Sequence, residues 1–188
     1  MYGNVLTNRQ LRKLIDSRAL IIDPFESSRL KEAAYTLTAG FIQRRLEDGE
    51  WGDIIELKGK NKTVIIKPNE YLKVIVKQKV IFKEDGIFGN FITASNNVDS
   101  GLLIVSGQID SRYGLNGEGL HFGIKNLLES ENSISQDTRL VHLQVVDLRG
   151  SASDRTMLTK EQQGIWQSRR GLWSQSPEEG PNYSLSSE

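Results

Sequence analysis

The amino-acid sequence predicts an all-β domain, a distorted jelly roll or β-barrel with a short N-terminal helix and a C-terminal tail. From Asp53 onward, short apolar runs are separated by turn-forming residues at close intervals, which favours a jelly roll or barrel over alternating helices and strands. One run, Tyr71–Val76, has the mixed alternation of a strand with one solvated face. The others are Val80–Phe82, Ile87–Phe88, Phe91–Ile92, Leu102–Val105, Leu120–Ile124 and Leu140–Val146.

A short amphipathic helix is predicted at the start of the chain. Thr7 followed by Gln10 makes a capping box, a pairing that typically begins a helix. Leu11, Leu14 and Ile15 then fall on one helical face, which we expect to pack on the sheet.

The first strands are predicted from their flanking residues. Leu20–Ile22 is an apolar strand that stops at Asp23-Pro24, because proline cannot donate to a β-ladder and restricts the residue before it. Asp53–Leu57 and Thr63–Ile66 flank a polar turn at Gly59–Asn61, a pattern that predicts a β-hairpin.

The composition bounds the class of protein. The 188 residues suffice for one domain with a core, and 24 basic residues balance 24 acidic ones. With no net charge, the chain has no overall electrostatic attraction to nucleic acid or to a membrane surface. Cysteine is absent, which excludes disulfides and thiolate metal sites, and no apolar run has the length of a membrane span or signal peptide. We expect a cytoplasmic protein that binds neither nucleic acid nor membranes.

The domain boundary follows from the end of the sequence. After about residue 174 the chain is rich in Ser, Pro, Glu and Gly, which is typical of disorder. We expect one domain over residues 1–173 and a disordered tail over residues 174–188.

The stretch Val105–Tyr113 is the best candidate for a functional site. Gly107 permits a backbone geometry that other residues resist, and Asp110 follows at the point where the chain turns back, three residues before Tyr113. A tight hairpin here would offer backbone groups to a flat ligand, while the carboxylate and the ring address water and a sugar. The same residues also fit an ordinary β-turn whose Asp bonds its own backbone.

The residues Gly107, Ile109, Asp110 and Tyr113 form Gly-x-Ile-Asp-x-x-Tyr, which resembles the third motif of the dCTP deaminase and dUTPase superfamily. The resemblance implies a dUTPase-like fold, with a hairpin that holds the pyrimidine through main-chain atoms. It also implies that the Asp110 carboxylate positions a water molecule and that the Tyr113 ring packs on the deoxyribose.

Other segments resemble the same superfamily, closest to its dCTP deaminase-like proteins. The opening, Leu6–Leu11 followed by Ile22–Phe25, is similar to the N-terminal helix and strand of dCTP deaminases, and Pro68–Tyr71 fits a turn of the family. Lys31–Leu37 resembles the first motif, but Thr36 occupies the place of an Asp that helps to hold magnesium on the triphosphate in dUTPases. A hydroxyl is a poor ligand for Mg²⁺, so a magnesium ion is implied only where a triphosphate is bound.

The second motif and the catalytic strand are degenerate. Ser95 is retained, but Ala94 and Asp99 occupy positions where the family has phosphate-binding arginines. Gly123, three residues before Asn126, occupies the position of the general-base Glu of deaminases, and glycine has no side chain that could move a proton.

Three further residues are candidates for the site: Glu118 and His121 as alternative bases near Gly123, and Gln162 as a ligand contact from the tail. Glu118 would need a slipped strand to act as the base, which would reverse the face on which its side chain lies. His121 could serve as a base on chemistry alone, although half-buried strand histidines are common. Gln162 belongs to a tail segment, also matched at Gly164, Ser168 and Arg169, that resembles the deaminase segment closing over the triphosphate.

Two hypotheses of function therefore remain. In the first, the chain is a dCTP deaminase/dUTPase-like protein without deaminase activity, a pseudoenzyme that binds a pyrimidine deoxynucleotide weakly or acts as a sensor or assembly module. In the second, it is an active pyrimidine deoxynucleotide hydrolase in which Asp110 orients water, with Ser95 and Gln162 on polar ligand atoms. The resemblance implies a homotrimer in both cases.

Overall fold

β-strands are the main secondary structure of the described chain. The computed structural model describes residues 4–58, 63–111, 113–115, 117, 119–136 and 138–149. The strands are β1 (Asn4–Val5), β2 (Leu20–Asp23), β3 (Tyr35–Arg44), β4 (Ile55–Glu56), β5 (Thr63–Ile66), β6 (Tyr71–Val76), β7 (Lys79–Phe82), β8 (Ile87–Thr93), β9 (Leu102–Val105), β10 (Gln108–Ile109), β11 (His121–Asn126), β12 (Asn132–Ser135) and β13 (Arg139–Asp147). The helices are α1 (Asn8–Asp16) and α2 (Ser95–Asp99), with a 3₁₀ turn at Ser27–Arg29.

A nine-stranded antiparallel sheet dominates the fold. Its strand order is β10-β8-β13-β3-β6-β11-β9, with β1 added to β13 and β4 added to β3. Register shifts in β13 and β3 interrupt the ladders, and such bulges bend and twist strands. Strands β9 and β10 lie at opposite ends of this order, yet only Ser106 and Gly107 separate them in the chain. The sheet therefore curls until its two ends meet, which confirms the predicted all-β fold of jelly-roll or barrel type.

The core lies inside this curled sheet. The strand β6 alternates between half-buried and buried side chains, as its sequence predicted. The helix α1 covers one end of the core, with the Thr7 amide donating to Gln10 Oε1 at 3.0 Å at its start. The largest fully buried side chains are Tyr35, Phe82, Leu11, Leu20, Leu37, Ile42, Leu57, Ile66, Leu72, Ile87, Leu120 and Ile124.

Two predicted hairpins are wrong. Strand β4 pairs with β3 and strand β5 pairs with β12, so the segments on either side of Gly59–Asn61 do not pair with each other. Strand β9 pairs with β11 while β10 pairs with β8, so the described part of Val105–Tyr113 crosses between the sheet ends rather than forming a hairpin. In both cases each strand pairs with a strand outside the predicted hairpin, which a local turn pattern does not reveal.

The boundary at residue 173 and the tail over residues 174–188 lie outside the described residues and remain predictions. One compact unit covers Tyr2–Arg149. Within the described part of the chain, neither helix has the length and apolar character needed to cross a bilayer.

Candidate functional site

The segment that joins β9 to β10 consists of Ser106 and Gly107, both of which are exposed. Ile109 pairs with Gly89 and is 2% exposed, so its side chain belongs to the core and only its backbone is available to a ligand. Gly107 is exposed, and its φ is outside the left-handed region, contrary to the expectation of an unusual geometry. A Cβ at Gly107 would meet nothing within 4 Å, so the space beside this backbone is open.

Asp110 and Tyr113 form the turn that follows. The Tyr113 amide donates to the Asp110 carbonyl at 3.2 Å, which closes the turn, and the Asp110 residue is exposed. The Tyr113 hydroxyl donates to the Gly119 carbonyl at 3.0 Å, and its half-buried ring packs on the core. The backbone hydrogen bond places Asp110 and Tyr113 in one turn, and the roles that the motif implies for them toward a ligand stay a prediction.

Ser95 lies at the other end of the same strand. Ile109 pairs with Gly89 near the start of β8, whereas the exposed Ser95 begins α2 just beyond Thr93. The four residue steps from Gly89 to Thr93 span about 13 Å at ~3.3 Å per residue. One chain thus keeps Ser95 apart from the Asp110 turn. Gln162 lies outside the described residues.

The degenerate second motif forms a short helix whose arginine positions are occupied differently. Ala94 is 2% exposed, and its amide donates to the Leu140 carbonyl at 3.1 Å. The buried Asn97 amide nitrogen also donates to that carbonyl, while Asp99 is exposed. The Cβ of residue 94 is buried, so an arginine side chain at this position would have to pass through the packed contact between α2 and β13. The presence of alanine is consistent with that close packing.

The position of the missing general base is filled by another side chain. A Cβ at Gly123 would lie 2.6 Å from both Cζ and Cε2 of Tyr71 and closer still to the Tyr71 hydroxyl oxygen. These separations are far below van der Waals contact, so the Tyr71 ring occupies the volume that a side chain at position 123 needs. Gly123 pairs with Lys73 on one side and Val105 on the other, which fixes its register in the sheet.

An aromatic and cationic cluster holds the Tyr71 ring in this position. The Trp51 and Tyr71 ring centroids are 6.0 Å apart, and Lys73 Nζ lies 4.1 Å from the Trp51 centroid. The Arg45 guanidinium lies 5.1 Å from that centroid. Burial lowers the pKa of the Lys73 amine, and the charge of Arg45 lowers it further. Trp51 and its two cationic neighbours therefore pack beside the Tyr71 ring, on the face of β6 where that ring covers Gly123.

Two further described residues of β11, Asn126 and His121, lie near Gly123, whereas Glu118 lies outside the described residues. Asn126 is fully buried and its side-chain amide donates to three backbone carbonyls, those of Ile66, Lys67 and Ser130, at 2.8 to 3.2 Å. Its role is to tie loops to β11. His121 is exposed, with Nδ1 3.2 Å from the Gly119 carbonyl.

A polar cavity lies beside Thr36, the residue that occupies the place of the first-motif Asp. This cavity of about 300 Å³ lies between the 3₁₀ turn, β3 and β13, and Thr36 is 3% exposed. Thr36 Oγ1 is 3.0 Å from His142 Nδ1. The residues that line the cavity are Glu26, Ser28, Arg29, Lys31, Thr36 and Arg139.

The described residues do not form a magnesium site at Thr36. No group of three His, Asp or Glu side chains in the described part of the chain is placed to hold a metal ion. Around Thr36 the nearest charges are mainly cationic, and burial together with Lys31 and Arg139 lowers the pKa of His142. A Mg²⁺ ion prefers carboxylate and phosphate oxygens, so these side chains do not fit it.

Comparison with solved structures assigns the fold. The 2′-deoxycytidine 5′-triphosphate deaminase of Agrobacterium tumefaciens matches with a TM-score of 0.62 and 10% sequence identity, over 78% of this chain and 49% of that chain. The aligned part thus spans about half of the deaminase. No family model matches the sequence, and no curated protein sequence matches it either.

Two phage dUTPases match less closely. The dUTPase of phage phi11 of S. aureus, whose structure is described as coordinating a structural Mg(II) ion, gives a TM-score of 0.47 and 16% identity over 68% of this chain and 90% of that one. The dUTPase of Staphylococcus bacteriophage 80alpha, solved with dUpNHpp, gives 0.45 and 17% over 68% and 75%. With TM-scores below 0.5, these alignments add nothing to the fold assignment.

The strand order and the deaminase match define a closed antiparallel β fold of the dUTPase-like kind. The chain has the fold of the dCTP deaminase and dUTPase superfamily, as the motif resemblance implied.

Proposed function

We propose that the chain is a catalytically silent relative of dCTP deaminase that retains a nucleotide-binding surface. The observation that supports this proposal most directly is the Tyr71 ring over Gly123. The base of hydrolytic deamination must reach the attacking water, and a carboxylate at position 123 has no space beside that ring. Loss of the base alone costs a factor of about 100 to 10,000 in rate.

The ligand proposed for this surface is a pyrimidine deoxynucleotide, bound weakly. The open backbone beside Gly107 and Ile109 would hold the base edge, with the fixed Tyr113 ring next to the sugar and Asp110 at its end. The family's two arginines are absent at Ala94 and Asp99, and each lost charge-assisted contact costs roughly 1.5 to 3 kcal/mol. Two such losses, about 3 to 6 kcal/mol, would turn a micromolar ligand into one of about 0.2 to 25 millimolar.

A homotrimer would unite the parts that one chain keeps apart. Ser95 and the Asp110 turn lie at opposite ends of β8, so a single site that uses both needs residues from two copies. Gln162 would complete that site from the tail segment. Any magnesium ion would enter with a triphosphate, because the described side chains do not form a site for it. We place the protein in the cytoplasm.

One observation favours the alternative of an active dUTP or dCTP hydrolase. Asp110 is exposed and shares a hydrogen-bonded turn with Tyr113, which supports a role in which its carboxylate orients a water molecule. This alternative needs a base at Asp110 and no contribution from position 123.

Product analysis separates the two functions. Full-length protein is incubated with dCTP or with dUTP and magnesium, and the products are separated by chromatography. We expect no dUTP or dUMP from dCTP, and dUMP from dUTP at most slowly. Appreciable product from dCTP would overturn the silent assignment, and loss of that product in Asp110→Asn would place the activity at this turn. Light scattering should give about three times the 21.2 kDa of one chain.

A further inference from the structure

The central strand β3 contains a bulge that lies away from the candidate site. The pairing of β3 with β6 shifts between Ala39 and Phe41, so Gly40 is one residue more than β6 can pair. The backbones approach closely here, because a Cβ at Gly40 would lie 2.8 Å from Lys77 Cα. Bulges of this kind bend a strand and redirect its side chains, and they are frequent beside functional sites.

A buried glutamine fixes this bulge. Gln78 is 1% exposed, its Oε1 accepts a hydrogen bond from the Thr38 amide at 3.0 Å, and its Nε2 donates to Thr38 Oγ1 at 2.8 Å. The Lys77 amide donates to the Thr38 carbonyl at 2.8 Å. These bonds satisfy polar groups of β3 beside the bulge, so the interruption of the ladder is a permanent part of the fold.

The bulge borders a cavity of about 350 Å³, which we call the β3 cavity. Its volume lies at the lower end of the range for small-molecule sites, about 300 to 1,000 Å³. No residue of its lining belongs to the Asp110 turn, to α2 or to the cavity beside Thr36. Besides Gly40, the lining consists of two apolar residues, Phe41 and Leu57, and four polar ones, Glu56, Lys58, Lys77 and Gln136.

The apolar part of the lining comes from β3 and from the end of β4. Phe41 is half-buried, so part of its surface remains accessible, and it pairs with Glu56 in the β3–β4 register. Leu57 is 2% exposed, and its amide donates to the Gly40 carbonyl at 2.8 Å. This backbone bond holds the two apolar residues on neighbouring strands, where a small aromatic or branched group of a ligand can contact them.

The polar part of the lining contains one cation without a counter-charge. Lys58 Nζ lies 2.6 Å from Glu56 Oε2, so the carboxylate of the lining is already neutralised. Lys77 is exposed and forms no ion pair within the described part of the chain. The half-buried Gln136 adds an amide that can donate a hydrogen bond. The cavity therefore combines an apolar surface with one positive charge.

We propose that the β3 cavity binds a small organic carboxylate, whose carboxylate group pairs with Lys77 and whose apolar group contacts Phe41 and Leu57. A phosphate fits less well, because no arginine belongs to the lining and a single ammonium group cannot bind it bidentately. The site shares no residue with the turn proposed to hold the pyrimidine, so it stands or falls separately from the proposed function.

Calorimetric titration of the full-length protein with sodium benzoate tests the proposal. Benzoate carries both a ring and a carboxylate, whereas acetate lacks the ring and benzamide lacks the charge. We expect saturable binding of benzoate at millimolar concentration or below. Acetate and benzamide should each bind about fivefold more weakly or worse, because each loses one of the two contacts.

Three variants assign the charge. Lys77→Gln should weaken benzoate binding about fivefold, because it removes the ammonium group that has no counter-charge. Lys79→Gln is the matched control, since this lysine is exposed two residues further along and does not line the cavity. Glu56→Gln should tighten binding severalfold, because it releases Lys58 to pair with the ligand; a merely structural role of Glu56 would not have this effect.

Intermolecular nuclear Overhauser effects from the benzoate ring protons to Phe41 would locate the ligand. Such contacts, with binding that Lys77→Gln weakens and Lys79→Gln leaves unchanged, support the proposal. Absence of saturable binding at millimolar benzoate, acetate binding as tight as that of benzoate, or equal losses in the two lysine variants would overturn it. Binding that Asp110→Asn abolishes would place benzoate at the turn and would overturn the proposal as well.

Discussion

Replacing Gly123 by alanine should destabilise the protein, although the same change in a strand usually helps. The new Cβ would lie 2.6 Å from Tyr71 Cζ and Cε2, so the ring must retreat by about 1 Å to reach ordinary contact. Overpacking of this kind lowers the free energy of unfolding by about 1 to 3 kcal/mol. Replacing glycine also reduces the conformational entropy of the unfolded chain, which raises the free energy of unfolding by about 0.4 to 1 kcal/mol. The net expectation is a loss of about 1 to 2 kcal/mol.

The assay is thermal unfolding of matched variants. A loss of about 1 to 2 kcal/mol corresponds to a fall in Tm of roughly 2 to 8 °C for a chain of this size. Gly107→Ala is the control, because its Cβ would meet nothing within 4 Å, and we expect it to be neutral or slightly stabilising. In Tyr71→Ala the Gly123→Ala change should cost nothing. The reasoning fails if Gly123→Ala is as stable as Gly107→Ala, or if its cost is the same with and without Tyr71.

Three further variants test other contacts by unfolding experiments. Asn126→Ala should lower the free energy of unfolding by about 2 to 4 kcal/mol, because it leaves buried backbone groups unpaired; a loss below 1 kcal/mol would contradict this. Gln78→Ala should cost about 1 to 3 kcal/mol in a urea titration, since its amide binds the Thr38 amide and hydroxyl in the core, whereas exposed Lys79→Ala should be neutral. The folded-state pKa of His142 is lowered, so the unfolded state binds more protons and stability should fall as pH drops below about 6.5. His142→Gln should flatten that part of the pH profile, and an unchanged slope would contradict the assignment.

Elements with strong local signals could be predicted from the sequence. The helix α1 has a cap and three apolar residues on one face, and β6 has a clear alternation, so both are confirmed. The central strand β3 was not predicted. Residues 35–40 are buried on both faces and include threonines and a glycine, so the alternation that signals a half-buried strand is absent.

The pairing of strands could not be predicted for a different reason. A turn signal predicts that its two flanking strands pair, yet β4 and β10 pair back with β3 and β8, while β5 and β9 pair forward with β12 and β11. The sequence also predicted two separate apolar runs where the structure has the single strand β8, because Gly89 and Asn90 interrupt its apolar residues. The topology depends on which distant strands compete best for each edge, and a single sequence does not contain that comparison.

For the candidate site, too, the sequence predicted what lies within a motif and could not predict which side chains the fold brings next to it. Motif spacing identified Gly123 as a departure, but the Tyr71 ring that occupies its space comes from a different strand. The first-motif segment pointed to Lys31 and Thr36, but the cavity that they line could not be predicted, because Arg29 and Arg139 are more than one hundred positions apart and neither belongs to a recognisable motif. Charge patterning reports runs along the chain and does not report side chains gathered by the fold.

The position of β13 in the sheet constrains how this chain can mature during synthesis. This strand pairs with β1, β3 and β8, so the middle of the sheet is missing until residues 139–147 have left the ribosome. Until then β3 and β8 expose open edges that invite association with other chains. A nascent chain of this kind must be kept apart from its neighbours until β13 has emerged, and truncations upstream of Arg139 should be recovered as aggregates rather than as smaller folded domains.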